Sequence, residues 1–230
     1  MTQDIKDILL DAALAHVPFD GWGEATFQAA AADVSLSVAA ARAMFPRGAA
    51  DLAAAYHRRG DDQMLARMMS EDISALRYSE KVSAAVRFRL EAVTDKEILR
   101  RGMSFYALPQ HAAEGAALIW GTADKIWTAL GDTSDDLNWY SKRAILSGVY
   151  GSTVLFWLGD TSEGHAATWA FLDRRIDDVM RFEKFKSAVR ENAALKPLVS
   201  IANSVFGGIR APRRGRTDLP GHWGPSEGPR

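Results

Sequence analysis

The chain has 230 residues, 47% of them hydrophobic and 25% charged, with a net charge of −1 and no cysteine. That is enough apolar material for a real core in one domain, or in a small domain fused to a larger one. The absence of cysteine excludes disulfides, thiolate metal sites and cysteine nucleophiles, and the near-zero charge excludes any global attraction to nucleic acid or anionic lipid.

At the amino terminus Asp4 and Asp7 stand where a secretory signal or Arg-rich transit peptide would need basic residues, so a cytoplasmic location is expected. Apolar residues then recur at three- and four-residue spacing, as in Ile5, Ile8, Leu9, Ala12, Ala13 and Val17, and strict alternation is rare. The pattern predicts an all-α protein of about nine or ten helices. Breaks are expected at 18–23, 46–48, near Gly60, at Thr94, at Pro109, around Gly131, around Gly159 and at Pro197. Three short helices, at about 4–17, 24–31 and 35–43, precede longer ones, which is the organisation of a helix-turn-helix regulator. Residues 1–45 are read as that head and 46–190 as a helical ligand-binding bundle.

A DNA-reading head needs lysine and arginine for phosphate contacts. This one has Lys6 and Arg42 against Asp4, Asp7, Asp11, Asp20, Glu24 and Asp33, a net charge of −4, and its third helix is mostly alanine. Base-edge hydrogen bonds are not available from such a helix, so specific DNA binding is not expected.

The tetrapeptide Gly-Asp-Thr-Ser occurs at 131–134 and again at 159–162, each time before an amphipathic run. It reads as a capping device: glycine closes one helix in a left-handed conformation, and Thr or Ser caps the next. Asp135, Asp136 or Glu163 would then stand in a first turn, where the helix dipole favours negative charge. A metal-binding reading of Asp132, Asp135 and Asp136 lacks the calcium-loop spacing. The segment 148–153 has the look of a phosphate loop but no lysine, and its small residues suggest close helix packing. The histidines 16, 57, 111, 165 and 222 are scattered without metal-ligand or di-iron spacing, so surface or helix-end roles are expected for them. No stretch is apolar for the roughly 18 residues a membrane span requires. Neither a catalytic residue, a cofactor nor a metal is predicted.

The central and distal segments are more specific: Ala123-Asp124-Lys125-Ile126-Trp127, Gly131-Asp132-Thr133-Ser134, Asn138-Trp139-Tyr140-Ser141-Lys142-Arg143, Thr168-Trp169-Ala170-Phe171-Leu172 and Arg174-Arg175-Ile176. This series resembles the Coq-nine family of ubiquinone-biosynthesis accessory proteins, with a looser likeness through His16-Val17-Pro18, Gly21-Trp22 and Met44-Phe45. The resemblance implies a TetR-regulator-like fold, usually a homodimer, that has given up DNA. It implies a pocket for isoprenoid quinone intermediates or phospholipid, and association with the di-iron demethoxyubiquinone hydroxylase through a patch matching Asp124 and Trp127. It describes a presenter of substrate and not a catalyst. A mitochondrial member would carry a targeting extension, so the chain as written suits a bacterial or mature form. The expected location is thus peripheral to the inner membrane, on the matrix side for a mature mitochondrial form.

From the residues alone, seven tryptophans suit an apolar pocket or simply a large core. Trp120, Trp139, Tyr140, Trp157 and Trp169 are the candidate lipid-contacting positions. Trp139 and Tyr140 are neighbours about 100° apart on a helix, so both cannot face one pocket equally. Trp127 reads as a surface anchor or as core. Beyond residue 190, Leu195, Leu198, Val199, Ile201, Ala202, Val205, Phe206 and Ile209 fall within a stripe of about 160° on a helix read as 191–210. Arg210 and a basic tail rich in Pro and Gly, 211–230, follow and are expected to be disordered. Leu198, Ile201, Val205, Phe206, Ile209 and Arg210 are the candidate membrane contacts, with partner docking or a dimer contact as the other uses of that face. The runner-up function is a TetR-like ligand-responsive regulator, and a third is an enzyme whose site forms only in three dimensions.

Overall fold

The computed structural model describes residues 2–191, with side chains over 5–181, and among these residues all regular structure is helical. Helices α1 (Thr2–Asp20), α2 (Glu24–Asp33) and α3 (Val38–Met44) form the head. Helices α4 (Ala49–Ser70), α5 (Tyr78–Glu91), α6 (Lys96–Tyr106), α7 (Pro109–Ala129), α8 (Leu137–Gly159) and α9 (Ala166–Glu191) form the bundle. The all-α architecture read from the sequence, three helices ahead of a larger bundle, is the architecture observed. The expected helix after 191 lies outside the described residues, together with Leu198, Ile201, Val205, Phe206, Ile209, Arg210 and the tail.

Local chemistry sets the ends. Ser37 accepts from the Ala40 amide to cap α3, Asp95 from Glu97 to cap α6, and Asp136 from Asn138 to cap α8. Pro109 opens α7, where its missing N–H is no loss.

Four of the expected breaks differ in detail. Helix α1 runs through Pro18 to Asp20, because a proline in the last turn forfeits little. The Pro18 carbonyl accepts from Arg101, and the chain turns at Gly21 with φ +71°. Gly60 does not end a helix but sits inside α4, and the true break falls at 71–77. A Cβ at Gly60 would stand 2.6 Å from the Arg89 guanidinium, so the glycine is a close-approach site. At the first Gly-Asp-Thr-Ser, Gly131 is left-handed as expected (φ +77°), but the cap of α8 comes from Asp136 and not from Thr133 or Ser134. At the second, Gly159 stays helical; Ser162 accepts from the Ala167 amide and Asp160 from the Thr168 amide.

Two apolar clusters form the core. One joins Leu9, Leu10, Ala13, Val17, Trp22, Phe27 and Phe45 of the head to Ala49, Leu52 and Ala53 of α4 and Ile98 of α6. The other fills the bundle with Met64, Val82, Val86, Leu90, Ile126, Leu146, Tyr150, Trp157, Leu172 and Ile176. Helix α4 contributes to both, so head and bundle share a rigid strut.

A candidate ligand-binding cavity

Between the two clusters lies a cavity of about 370 Å³, walled by α4, α5, α6, α7, α8 and the α1–α2 turn. Trp22, Tyr56, Tyr106 and Tyr150 supply aromatic surface, and Ile98, Leu99, Met103, Leu118, Ile119 and Val154 supply aliphatic surface. Ala107, Ala112 and Ala116 border it and are exposed, so it opens outward beside the first turns of α7. Size and lining are those of a site for an apolar small molecule.

One wall is polar. The Asp61 carboxylate, 3% exposed, accepts from Arg89 Nε at 2.7 Å and from the Thr122 hydroxyl at 2.8 Å. Arg89 gives a second N–H to the His57 carbonyl, and His57 Nε2 lies 2.9 Å from Thr122 Oγ1. A buried charge pair persists only with the support of further hydrogen bonds, which Thr122 supplies to Asp61 and the His57 carbonyl to Arg89. Burial, aided by the Arg89 charge, pushes the His57 imidazole down to about 4, so it is neutral at physiological pH. The expectation of a surface or helix-end role for His57 is therefore corrected: it stands mid-helix with a side chain 15% exposed. The overlooked signal was its i,i+4 spacing to Asp61 on an otherwise apolar face of α4. Among the described residues, no group of three or more His, Asp or Glu is placed to hold a metal.

The five aromatics expected at a lipid site take other positions, and none borders this cavity. Trp120, Trp139 and Tyr140 form their own cluster where α7 meets α8, with ring centroids 6.0 Å (Trp120–Trp139), 6.4 Å (Trp120–Tyr140) and 4.8 Å (Trp139–Tyr140) apart. Adjacent Trp139 and Tyr140 thus reach one partner despite diverging on the helix. Trp157 is buried in the bundle core beneath the Lys96 ammonium, and Trp169 packs under Arg87 with its indole N–H donated to the Gly164 carbonyl. Within 148–153, Tyr150 and Gly151 do border the cavity, but a Cβ at Gly148 or Gly151 would meet nothing within 4 Å. Those glycines leave open space and do not serve the close packing expected of them.

Asp124 and Trp127 share one face of α7, and both face α8. Asp124 accepts from Arg143 Nε at 2.5 Å; the Trp127 indole donates to the Lys142 carbonyl at 3.0 Å and its ring lies 5.8 Å from Tyr78. Trp127 is half-buried and lines a second cavity, about 440 Å³, between α5, α7, α8 and α9. Beside it is a second polar hub. Asp132, its side chain 2% exposed, accepts from Lys142 at 2.7 Å, Arg143 at 3.1 Å and the Ser134 hydroxyl at 2.9 Å. Burial alone would raise this carboxyl, but those donors hold it down at about 2. Arg143, 1% exposed, also stacks over Trp139 at 3.9 Å. The Asn-Trp-Tyr-Ser-Lys-Arg block is thus the anchor that pins loop 130–136 to α7 and α8.

The architecture is similar to a TetR transcriptional regulator from Nitrosomonas europaea, with a TM-score of 0.63 over 76% of this chain and 97% of that one, at 21% identity. At that identity the likeness concerns the fold alone. The profile of the COQ9 family matches residues 112–183, which run from the first turn of α7 into α9. The chain is 36% identical over 126 residues to the probable ubiquinone biosynthesis protein coq9, mitochondrial, of Dictyostelium discoideum, covering 54% of this chain and 40% of that protein. It is 34% identical over 190 residues to the ubiquinone biosynthesis protein COQ9, mitochondrial, of Drosophila melanogaster, covering 80% and 57%. For the Homo sapiens protein of the same name the figures are 30% over 187 residues, 77% and 58%. The chain therefore spans three-fifths or less of the length of these relatives. The matched segment contains the whole Asp132–Lys142–Arg143 anchor, and the alignments extend from it to most of the helical fold: the chain belongs to the COQ9 family.

Proposed function

We propose that this protein is a non-enzymatic accessory factor of ubiquinone biosynthesis. It holds an isoprenoid quinone intermediate in the 370 Å³ cavity at a membrane surface and presents it to the di-iron demethoxyubiquinone hydroxylase. The observation that carries this reading is the cavity itself, apolar and aromatic on most sides and open at α7, in a chain whose relatives are named for ubiquinone biosynthesis. Its polar wall is paired within itself, which suits holding a ligand better than transforming one. No described helix is long and apolar enough to cross a membrane, so membrane contact in this proposal rests on the stripe at 195–209. Pairing of two copies would use the outer face of α8 and α9, where Leu155 is 61% exposed and Phe156 stacks on Phe171 at 4.6 Å. A TetR-like regulator is the competing use of the same fold. Against it, Arg42 on α3 is paired with Glu24 at 2.6 Å and lies 5.2 Å over Phe27, and Lys6 lies 5.8 Å over Phe45. The head's two bases are thus engaged within the head.

Native mass spectrometry of the protein extracted from membranes tests the proposal. The expected result is a co-purified isoprenoid quinone precursor in the wild type and its loss in Gly151→Leu. That variant puts a side chain into open space on the cavity wall and should melt as the wild type does. A wild type free of lipid would refute the reading.

A further inference from the structure

Among the described residues five buried side-chain atoms have no hydrogen-bond partner, and three of them belong to the wall of one cavity: Trp22 Nε1, the Tyr56 hydroxyl and the Tyr106 hydroxyl. Buried polar groups are almost always paired, so three orphans along the wall of one cavity point to a ligand that reaches them. Trp22 is only 6% exposed, its ring lies 5.9 Å from that of Tyr56, and a Cβ on cavity-lining Gly102 would stand 3.6 Å from its Nε1. The indole is a donor and nothing else. Burial pushes both phenols up, so they too keep the proton they would donate. The indole therefore requires an acceptor, and each phenol has an O–H free to donate to a further one.

Charge narrows the ligand further. Arg89 is the one cation on the described wall, and it is committed to Asp61 at 2.7 Å and to the His57 carbonyl at 3.0 Å. A phosphate entering the cavity would find the Arg89 charge already balanced by the buried Asp61 carboxylate. An alkane would leave all three donors unpaired. Only an uncharged head group with several acceptors satisfies both conditions.

We propose that Trp22, Tyr56 and Tyr106 form a donor subsite that selects a neutral, oxygen-bearing ring, such as a quinone or its alkoxy derivatives, over phosphate-headed and purely hydrocarbon lipids. The subsite rests on the lipid-binding role proposed above and supplies its selectivity. Trp22 comes from the α1–α2 turn, so the head contributes directly to ligand choice.

Calorimetry on the full-length protein, stripped of lipid, tests this with three probes sharing one tail: decylubiquinone, decylbenzene and decyl phosphate, each delivered from cyclodextrin. Decylubiquinone is expected to bind at least about tenfold more tightly than either of the others, as two or more neutral hydrogen bonds would give. Tyr56→Phe and Tyr106→Phe, which remove one oxygen each, should weaken decylubiquinone by about three- to tenfold while leaving decylbenzene unchanged. Neither should lower the melting temperature, because each deletes an unpaired buried hydroxyl; Trp22→Phe serves as a third variant with the same expectation for the probes. Equal affinity for quinone and hydrocarbon, tighter binding of the phosphate, or phenylalanine variants that keep the full preference would overturn the subsite and leave the lipid-binding role standing. Binding of none of the three would overturn that role and the subsite together.

Discussion

The polar wall makes stability depend on pH in a window where few groups titrate. His57 has an ordinary pKa of 6.5 when unfolded and about 4 when folded. Because the folded value is the lower one, the unfolded chain takes up a proton first. The His57 contribution is fully present above pH 6.5 and is lost as the pH falls toward 4. At pH 5 the linkage relation gives a loss of about 2 kcal/mol, and the full depression corresponds to about 3 kcal/mol. For a domain of this size the pH 5 loss lowers the melting temperature by roughly 4–8 °C. Carboxylates contribute little there: Asp132, at about 2 when folded, loses its stabilisation only below its ordinary 3.8. Urea unfolding at pH 7 and pH 5, on the wild type and on His57→Gln, measures the effect. The variant should keep nearly the same stability at both pH values. A wild-type loss below about 0.5 kcal/mol, or an equal loss in the variant, would mean that His57 is not held neutral by burial.

Gly60→Ala should destabilise by about 1–3 kcal/mol although alanine is the better helix former, because its Cβ would crowd a guanidinium 3% exposed and fixed by Asp61; denaturant titration reads the sign. Trp127→Ala should cost about 2–4 kcal/mol of stability through the lost Lys142 and Tyr78 contacts. In the docking proposal it should also abolish pull-down of the di-iron hydroxylase at a temperature where the variant is still folded, and retained pull-down would remove Trp127 from that patch. Electrophoretic shift assays at about 0.15 M salt should find no sequence-specific DNA complex, since Arg42 and Lys6 are engaged within the head. Deleting 195–230 should abolish co-sedimentation with anionic vesicles and leave the fold of the rest of the chain intact, read as an unchanged melting temperature; Phe206→Asp should do most of the same damage by placing a charge in the apolar stripe, and unchanged sedimentation in both would exclude that segment as the membrane contact.

The helices were legible because their information is local. Apolar spacing marks a buried stripe within two turns, as Leu9, Leu10, Ala13 and Val17 do on α1, and a left-handed glycine such as Gly131 is a one-residue signal. Gly60 misled for the opposite reason. Glycine is read locally as a breaker, yet what requires it is Arg89, on another helix and 29 positions away. A sequence gives no register between α4 and α5, so it cannot say that a guanidinium lands on that backbone.

The same limit explains why the expected pocket residues and the observed ones differ. Trp120, Trp139, Trp157 and Trp169 are large and apolar, and size decides that a residue is buried but not against what. The cavity wall draws its residues from several distant segments, among them Trp22 from a turn, Tyr56 and His57 from α4, Tyr106 from the end of α6 and Tyr150 from the middle of α8. No window along the chain contains that set. The Asn138–Arg143 block could be recognised as a series because its contacts are short-range: Lys142 and Arg143 reach back only ten and eleven residues to Asp132, and Arg143 nineteen to Asp124. A constellation closed within two neighbouring helices and their loop leaves a contiguous trace in the sequence. One closed across the whole bundle leaves only a histidine four residues before an aspartate, and its meaning depends on a threonine 61 residues further on.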